Sequence, residues 1–136
     1  VGVMLSLNFP AGPELEKLSE KSNAVFKIKP SMKNTDCSLS GVENKCKKML
    51  TENYEKSDIA LFCIDSVIAA LDGMYKALMP KYGALPVVFS GGVTSNKRIK
   101  NYFHDKYNAV FAEPAFSADN AAGTAVLSSI MYDRRK

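Results

Sequence analysis

The chain has no tryptophan, a single histidine and only three cysteines, and each scarcity removes a class of chemistry. With His104 alone there is no pair of imidazoles, so a zinc hydrolase centre cannot be assembled from this chain by itself. Cys37, Cys46 and Cys63 form an odd set without CxxC spacing, which argues against a disulfide framework or zinc knuckle and for free thiols in a reducing cytosol. Long apolar runs are missing too. The most apolar stretch, DIALFCIDSVIAALDGMYKALM, is broken at Asp58, Asp65, Asp72 and Lys76, far short of the roughly 20 apolar residues a membrane span needs. Nothing reads as a signal peptide, so a soluble, cytoplasmic protein without membrane contact is expected.

What is present fits a globular α/β chain. A length of 136 residues suits one domain over 1–136, and 46% apolar with 24% charged residues is ordinary for a folded protein. The net charge of +4, from 18 basic and 14 acidic residues, permits a nucleic-acid partner without demanding one. The opening VGVMLSLNF begins at Val1 and reads as the inside of an apolar element, so a piece of a longer protein is expected.

Along the chain, residues 1–8 read as a short apolar segment. FPAGPELEKLSEKS is a turn and then a helix ending near Ser22, with Pro13 in its first turn and Glu14 and Glu16 near its positive end. Residues 23–39 read as one short strand, VFKIKP, plus an irregular connection through Asn34, Thr35 and Asp36. A helix is predicted over 40–51, with Val42, Cys46, Met49 and Leu50 on one side. A longer one is predicted over 57–80, capped by Ser57 and stopped by Pro80 and Gly83. Asp58, Asp65 and Asp72 draw a narrow polar stripe along it, so it should be buried on most sides and lie across a sheet. LPVVFSGG is then a buried strand, 95–106 a helix, NAVFAE a second strand and SADNAAGTAVLSSIM a closing helix. This alternation predicts parallel pairing in an α/β layer.

Few residues carry chemistry. His104, in YFHDKY on a predicted helix, reads as a surface or packing residue, and Cys63 as core filler. VVFSGGVTSNKRI is more informative. A strand ending in Gly91 and Gly92, with a helix starting about three residues later, lets backbone amides approach a phosphate or ribose near a positive helix end; an ordinary strand-to-helix turn has the same form. Asn96 either reads a base or ribose edge or caps the helix. In FSADNAAGTA, Asp119 either caps the last helix or points its carboxylate into the same cleft, where it would imply a metal.

Taken in order, NFPAGPELEKLS, DCSLSG, DIALFCIDSVIAAL, VVFSGGVTSNKRI and FSADNAAGTAVL resemble the glycoprotease family, whose members are understood as tRNA threonylcarbamoyladenosine transferases. The resemblance spans essentially the whole chain. It implies the carboxy-terminal half of an actin, hexokinase and Hsp70 type of fold (ASKHA, ribonuclease H-like), with helices packed on a small mixed sheet. It implies threonylcarbamoyl-adenylate held between two halves, its threonylcarbamoyl group passing to the amine of an adenosine beside the tRNA anticodon. Gly12 matches the glycine of the Pro-x-Gly-Pro motif that contacts the adenylate, and Gly91 and Gly92 match the glycine turn. Asn96 matches the asparagine that also holds the adenylate, and Asp119 the aspartate that ligates one divalent metal, iron or zinc according to the member.

The departures from the family matter as much. Its His-x-x-x-His ligand pair, from the amino-terminal half, has no counterpart here, and its acidic adenylate contact would fall just before Val1. SGVENK sets Glu43 where Ser-Gly-Leu-Lys-Thr carries a lysine. The expectation is half a cleft, holding no metal and inactive alone, from a parent enzyme that works by positioning and by a metal stabilising negative charge. Two other readings stand beside it: a metal-dependent glycoprotein endopeptidase, the family's historical name, and a non-catalytic interaction module, since members work with a smaller kinase-like subunit. Lys97, Arg98, Lys100 and Lys106, with Arg134, Arg135 and Lys136, would face tRNA or form a solvated face. The face the other half would cover is a candidate for homodimerisation.

Overall fold

The computed structural model describes residues 1–113 and 121–133, with side chains for 1–113 and 127–133. In place of an extended apolar element, residues 2–6 make successive turns. Leu5 N–H reaches back to the carbonyls of Val1 and Gly2 (3.0 and 3.1 Å), and its side chain, 1% exposed, plugs the core.

Helix α1 (Ala11–Ser19) has Pro13 in its first turn, as its missing N–H allows. Asn8 donates through its backbone N–H and Nδ2 to the Glu14 carboxylate (2.9 and 3.0 Å), tying the first turn to the chain entering it and holding Glu14 below the usual carboxylate range. The helix ends at Ser19 rather than Ser22, because Lys21 and Ser22 bond to carbonyls three residues back and tighten the chain into a turn.

The strand expected in VFKIKP has no partner among the described residues. Residues 23–30 keep a two-residue alternation of burial but carry no ladder; β1 (Ser31–Lys33) and β2 (Asp36–Ser38) instead form an antiparallel hairpin inside the supposed irregular loop. Asn34, at φ 57°, adopts the left-handed conformation that closes a two-residue turn and that asparagine tolerates. Met32 faces Cys37 on the half-buried side.

Helix α2 (Ser40–Thr51) follows with its expected bounds, burying Cys46 between Val42, Met49 and Leu50. Helix α3 (Lys56–Tyr82) is 27 residues long, about 40 Å at 1.5 Å per residue. Ser57 does not cap it: the cap position is Glu55, without a side-chain bond, while Lys56 Nζ reaches the Leu5 carbonyl at 3.1 Å. Pro80 does not stop it either. The last turn closes through Gly83 N–H to Met79 O (2.8 Å), and Gly83, at φ 75°, ends the helix. Helix α3 lies against the hairpin, where Gly73 permits the approach: a Cβ there would sit 2.9 Å from Met32 Sδ.

Strand β3 (Val88–Phe89) pairs in parallel with β4 (Val110–Phe111), joined through α4 (Lys97–Tyr107), as strand and helix alternation requires. Contrary to expectation β3 is buried on one face only: Phe89 packs on Phe111 and Phe103 (centroids 5.2 and 4.8 Å), while Val88 and its partner Val110 are 69% and 60% exposed. The described strands thus form two separate pairs, one antiparallel and one parallel, instead of one mixed sheet. Helix α5 (Ala121–Asp133) closes the described chain. No described helix is long and apolar enough to cross a membrane.

Two buried clusters meet along α3. Ile64 and Ile68 join Ile99, Phe103 and Ala109; Ile59 and Ala60 join Leu5 and Cys46; Leu15 of α1 packs against both.

Candidate functional site

The glycine turn is built for a positive φ at one position. Gly91 sits at φ 110°, a conformation side chains rarely adopt, whereas Gly92 has ordinary geometry; a Cβ on either would meet open space. A 3₁₀ turn over Gly92–Ser95 follows, anchored on the Gly91 carbonyl by Thr94 N–H (3.2 Å) and Thr94 Oγ1 (2.8 Å). Its first two amides, on Gly92 and Val93, have no protein acceptor among the described residues.

Asn96 uses one end of its side-chain amide to cap a helix. Its Oδ1 accepts from Ile99 N–H at 3.1 Å, which makes this half-buried residue the N-cap of α4, and its Nδ2 has no described partner. Capping and recognition, alternatives at the level of sequence, are compatible because they use opposite ends of one amide.

Gly12 lies exposed in the first turn of α1 with open space around it. Four residues on, Glu16 Oε1 accepts from Lys97 N–H at 2.8 Å, so α1 supplies a second acceptor to the start of α4. This bond ties the helix carrying Gly12 to the residue that follows Asn96. Glu16 was legible only as an acid near the start of its own helix; nothing in sequence spacing points across 81 residues to Lys97. Asp119 lies outside the described residues.

The aspartate stripe of α3 is likewise spent on neighbours. Ser22 Oγ donates to Asp58, Arg98 donates to both Asp65 oxygens (2.6 and 3.1 Å), and Asp72 takes Lys106 (2.8 Å), Lys76 (2.6 Å) and Tyr107 (2.6 Å). Arg98 and Lys106, read from sequence as cations for a polyanion, are therefore ion-paired to α3. Lys100 lies over the Phe111 ring at 5.9 Å. His104 is a surface residue beside Asp105, at 3.2 Å.

The donors at hand do not make a metal centre. Among the described residues no three histidine, cysteine, aspartate or glutamate side chains come together, so no chemical step is derived through a metal. The cysteines are free thiols; a hydrogen bond to Cys63, together with burial, keeps the Cys46 thiol protonated.

Comparison with known proteins follows the same lines. The family model described as TsaD, tRNA N6-adenosine threonylcarbamoyltransferase, matches residues 1–126. A curated tRNA N6-adenosine threonylcarbamoyltransferase from Kosmotoga olearia is 28% identical over 146 aligned residues, covering 100% of this chain and 43% of the relative. That from Thermococcus kodakarensis is 30% identical over 134 residues, covering 94% and 41%. A third, from Thermococcus sibiricus, is 31% identical over 97 residues, covering 71% and 30%. The chain thus spans less than half the length of these relatives. With the match running from the segment before α1 through the glycine turn and into α5, the chain belongs to the tRNA N6-adenosine threonylcarbamoyltransferase family.

Proposed function

We propose that this chain forms one wall of an adenylate-binding cleft in a tRNA threonylcarbamoyladenosine transferase with an ASKHA-type fold. The observation that carries the reading is the glycine turn, where the Gly92 and Val93 amides at its start and Asn96 Nδ2 at its end have no partner among the described residues, just ahead of α4. Amides in that position are donors for phosphate or ribose oxygens, and Asn96 Nδ2 is a donor for a ribose hydroxyl or a ring nitrogen.

In the reaction the exocyclic amine of the tRNA adenosine attacks the threonylcarbamoyl carbonyl carbon. The bond to phosphate oxygen breaks, AMP leaves with the electron pair, and the amine loses a proton. Such an activated anhydride needs positioning more than a protein nucleophile, and positioning is what Gly12, Gly91, Gly92 and Asn96 contribute. Asp119 is the proposed carboxylate ligand of a divalent iron or zinc, whose remaining ligands come from outside this chain. The smaller kinase-like subunit and tRNA are the partners this reading expects, in the cytoplasm.

Asn96→Ser separates capping from recognition, because serine caps a helix as well as asparagine but has no amide donor. With AMP as the probe and binding followed by NMR titration of the full chain, the variant should keep its melting temperature and bind about fivefold more weakly, the worth of one hydrogen bond. Asn96→Ala should lose the same affinity and also about 1 kcal/mol of stability. Unchanged AMP affinity in a folded Asn96→Ser protein would remove Asn96 from the site.

A further inference from the structure

Residues 21–33 form a strand-like ribbon with two different faces. Every even position from Ser22 to Met32 is half-buried and every odd one from Lys21 to Lys33 is exposed. Ala24, Phe26, Ile28 and Pro30 line one side of a groove of about 870 Å³, whose other walls, on α3 and α4, combine Ile68 with the charged side chains of Asp65, Asp72, Lys76, Lys97 and Arg98. Phe26 is fixed there edge-on to Phe62 of α3, at 5.4 Å between centroids.

Two further features set this ribbon apart from an ordinary loop. Over residues 24–30 the only backbone group bonded within the described protein is Ala24 N–H, to Ser22 Oγ at 3.1 Å; the other amides and the carbonyls have no partner among the described residues. The outward positions hold Lys21, Lys27, Lys29 and Lys33, none in a described ion pair, and no acidic residue.

We propose that residues 24–30 are a docking edge for an extended, acidic polypeptide segment that adds alongside them as a β-strand. Its alternate apolar side chains would enter the groove beside Phe26 and Ile28, and its carboxylates would lie opposite Lys27 and Lys29. A polypeptide backbone supplies both what the free carbonyls need and what the free amides need, donors and acceptors in alternation. A phosphate chain supplies acceptors only. A second copy of this chain fits poorly, because pairing two such edges sets lysines against lysines, and like charges directly opposite are destabilising.

The test uses a fluorescein-labelled peptide of alternating valine and glutamate, seven residues long, titrated with the full chain and read by fluorescence anisotropy. Saturable binding is expected, weakened about tenfold by the double substitution Lys27→Glu and Lys29→Glu and to a similar extent by N-methylation of one of the two alternate sets of peptide amides, the set that faces the edge. Both substituted side chains are solvent-facing, so the fold is preserved and circular dichroism checks it. Amide exchange at Lys27 and Lys29 should slow when peptide is bound. Undiminished binding of both peptides, each N-methylated on one of the two alternate sets, would overturn the proposal, as would preferential binding of an oligouridylate with the same charge dependence, or a dimer of the chain alone in sedimentation at the same concentration.

Discussion

Replacing Phe103 by alanine is expected to lower the free energy of unfolding by about 4 kcal/mol, the cost of emptying a fully buried aromatic site. Phe103 has no exposed surface and stands at the centre of an aromatic group: Phe89 at 4.8 Å, Tyr102 at 5.1 Å and Tyr107 at 6.0 Å between centroids. It touches the parallel strands and α3 at once, so the groups around a cavity there belong to different elements and cannot close over it together. Urea unfolding of wild type and variant measures the difference. A loss below about 1 kcal/mol, which is what a surface substitution costs, would mean that the cluster of Ile64, Ile68, Ile99 and Phe103 is not the core of this half of the chain.

The second large effect is at Asp72, where alanine is expected to cost about 2 to 3 kcal/mol at neutral pH, somewhat under the range for breaking a buried pair because both lysine partners still reach water. The carboxylate is nearly buried, with 11% of its side chain exposed against 38% for Lys106 and 57% for Lys76. Burial pushes its pKa up, but the bonds from Lys106, Lys76 and Tyr107 outweigh burial and hold the carboxyl well below the usual range. Truncation leaves the Tyr107 hydroxyl and the Lys106 ammonium facing one another without their shared acceptor.

The same cluster fixes how stability follows pH. A carboxyl depressed by folding contributes stability above its unfolded value of about 3.9, and the contribution is lost as pH falls through the lower folded value. Tyr107 shifts the other way, raised to about 12 by burial and by its bond to Asp72, and Lys106 is raised by the same carboxylate. Their contributions are complete below unfolded values of about 10 and disappear as pH rises, for Tyr107 between about 10 and 12. Asp72→Asn should therefore flatten both limbs of the stability profile in denaturant titrations from pH 2 to 12. An unchanged alkaline limb would show that Asp72 is not what holds Tyr107 and Lys106 in their protonated forms.

The helices were legible in the sequence because their signals are local: apolar spacing gave α2 its bounds, and Gly91-Gly92 marked the end of a strand. Asn96 was legible as a cap for the same reason. The partners of the aspartate stripe were not legible, since seven-residue spacing reports a polar line on α3 but not which elements lie along it. VFKIKP shows a different limit. It reads as a strand, but a strand is defined by a neighbour to bond with, and the nearest hairpin turns instead at Asn34, four residues past the run. Glu16 was missed as a support of the glycine turn for want of any sequence signal linking it to Lys97.

Asp65 and Asp72 are two helical turns apart, about 10.5 Å along α3, and each is matched to a cation on α4, Arg98 near its start and Lys106 near its end. Two clamps at that separation act as a vernier. Sliding α4 by one residue's rise, about 1.5 Å, would misalign both at once, and sliding it by two turns to pair Arg98 with Asp72 would leave Lys106 and Asp65 unmatched. The axial position of α4, and with it that of Asn96 at its start, is thereby gauged from a helix that contributes no atom to the glycine turn.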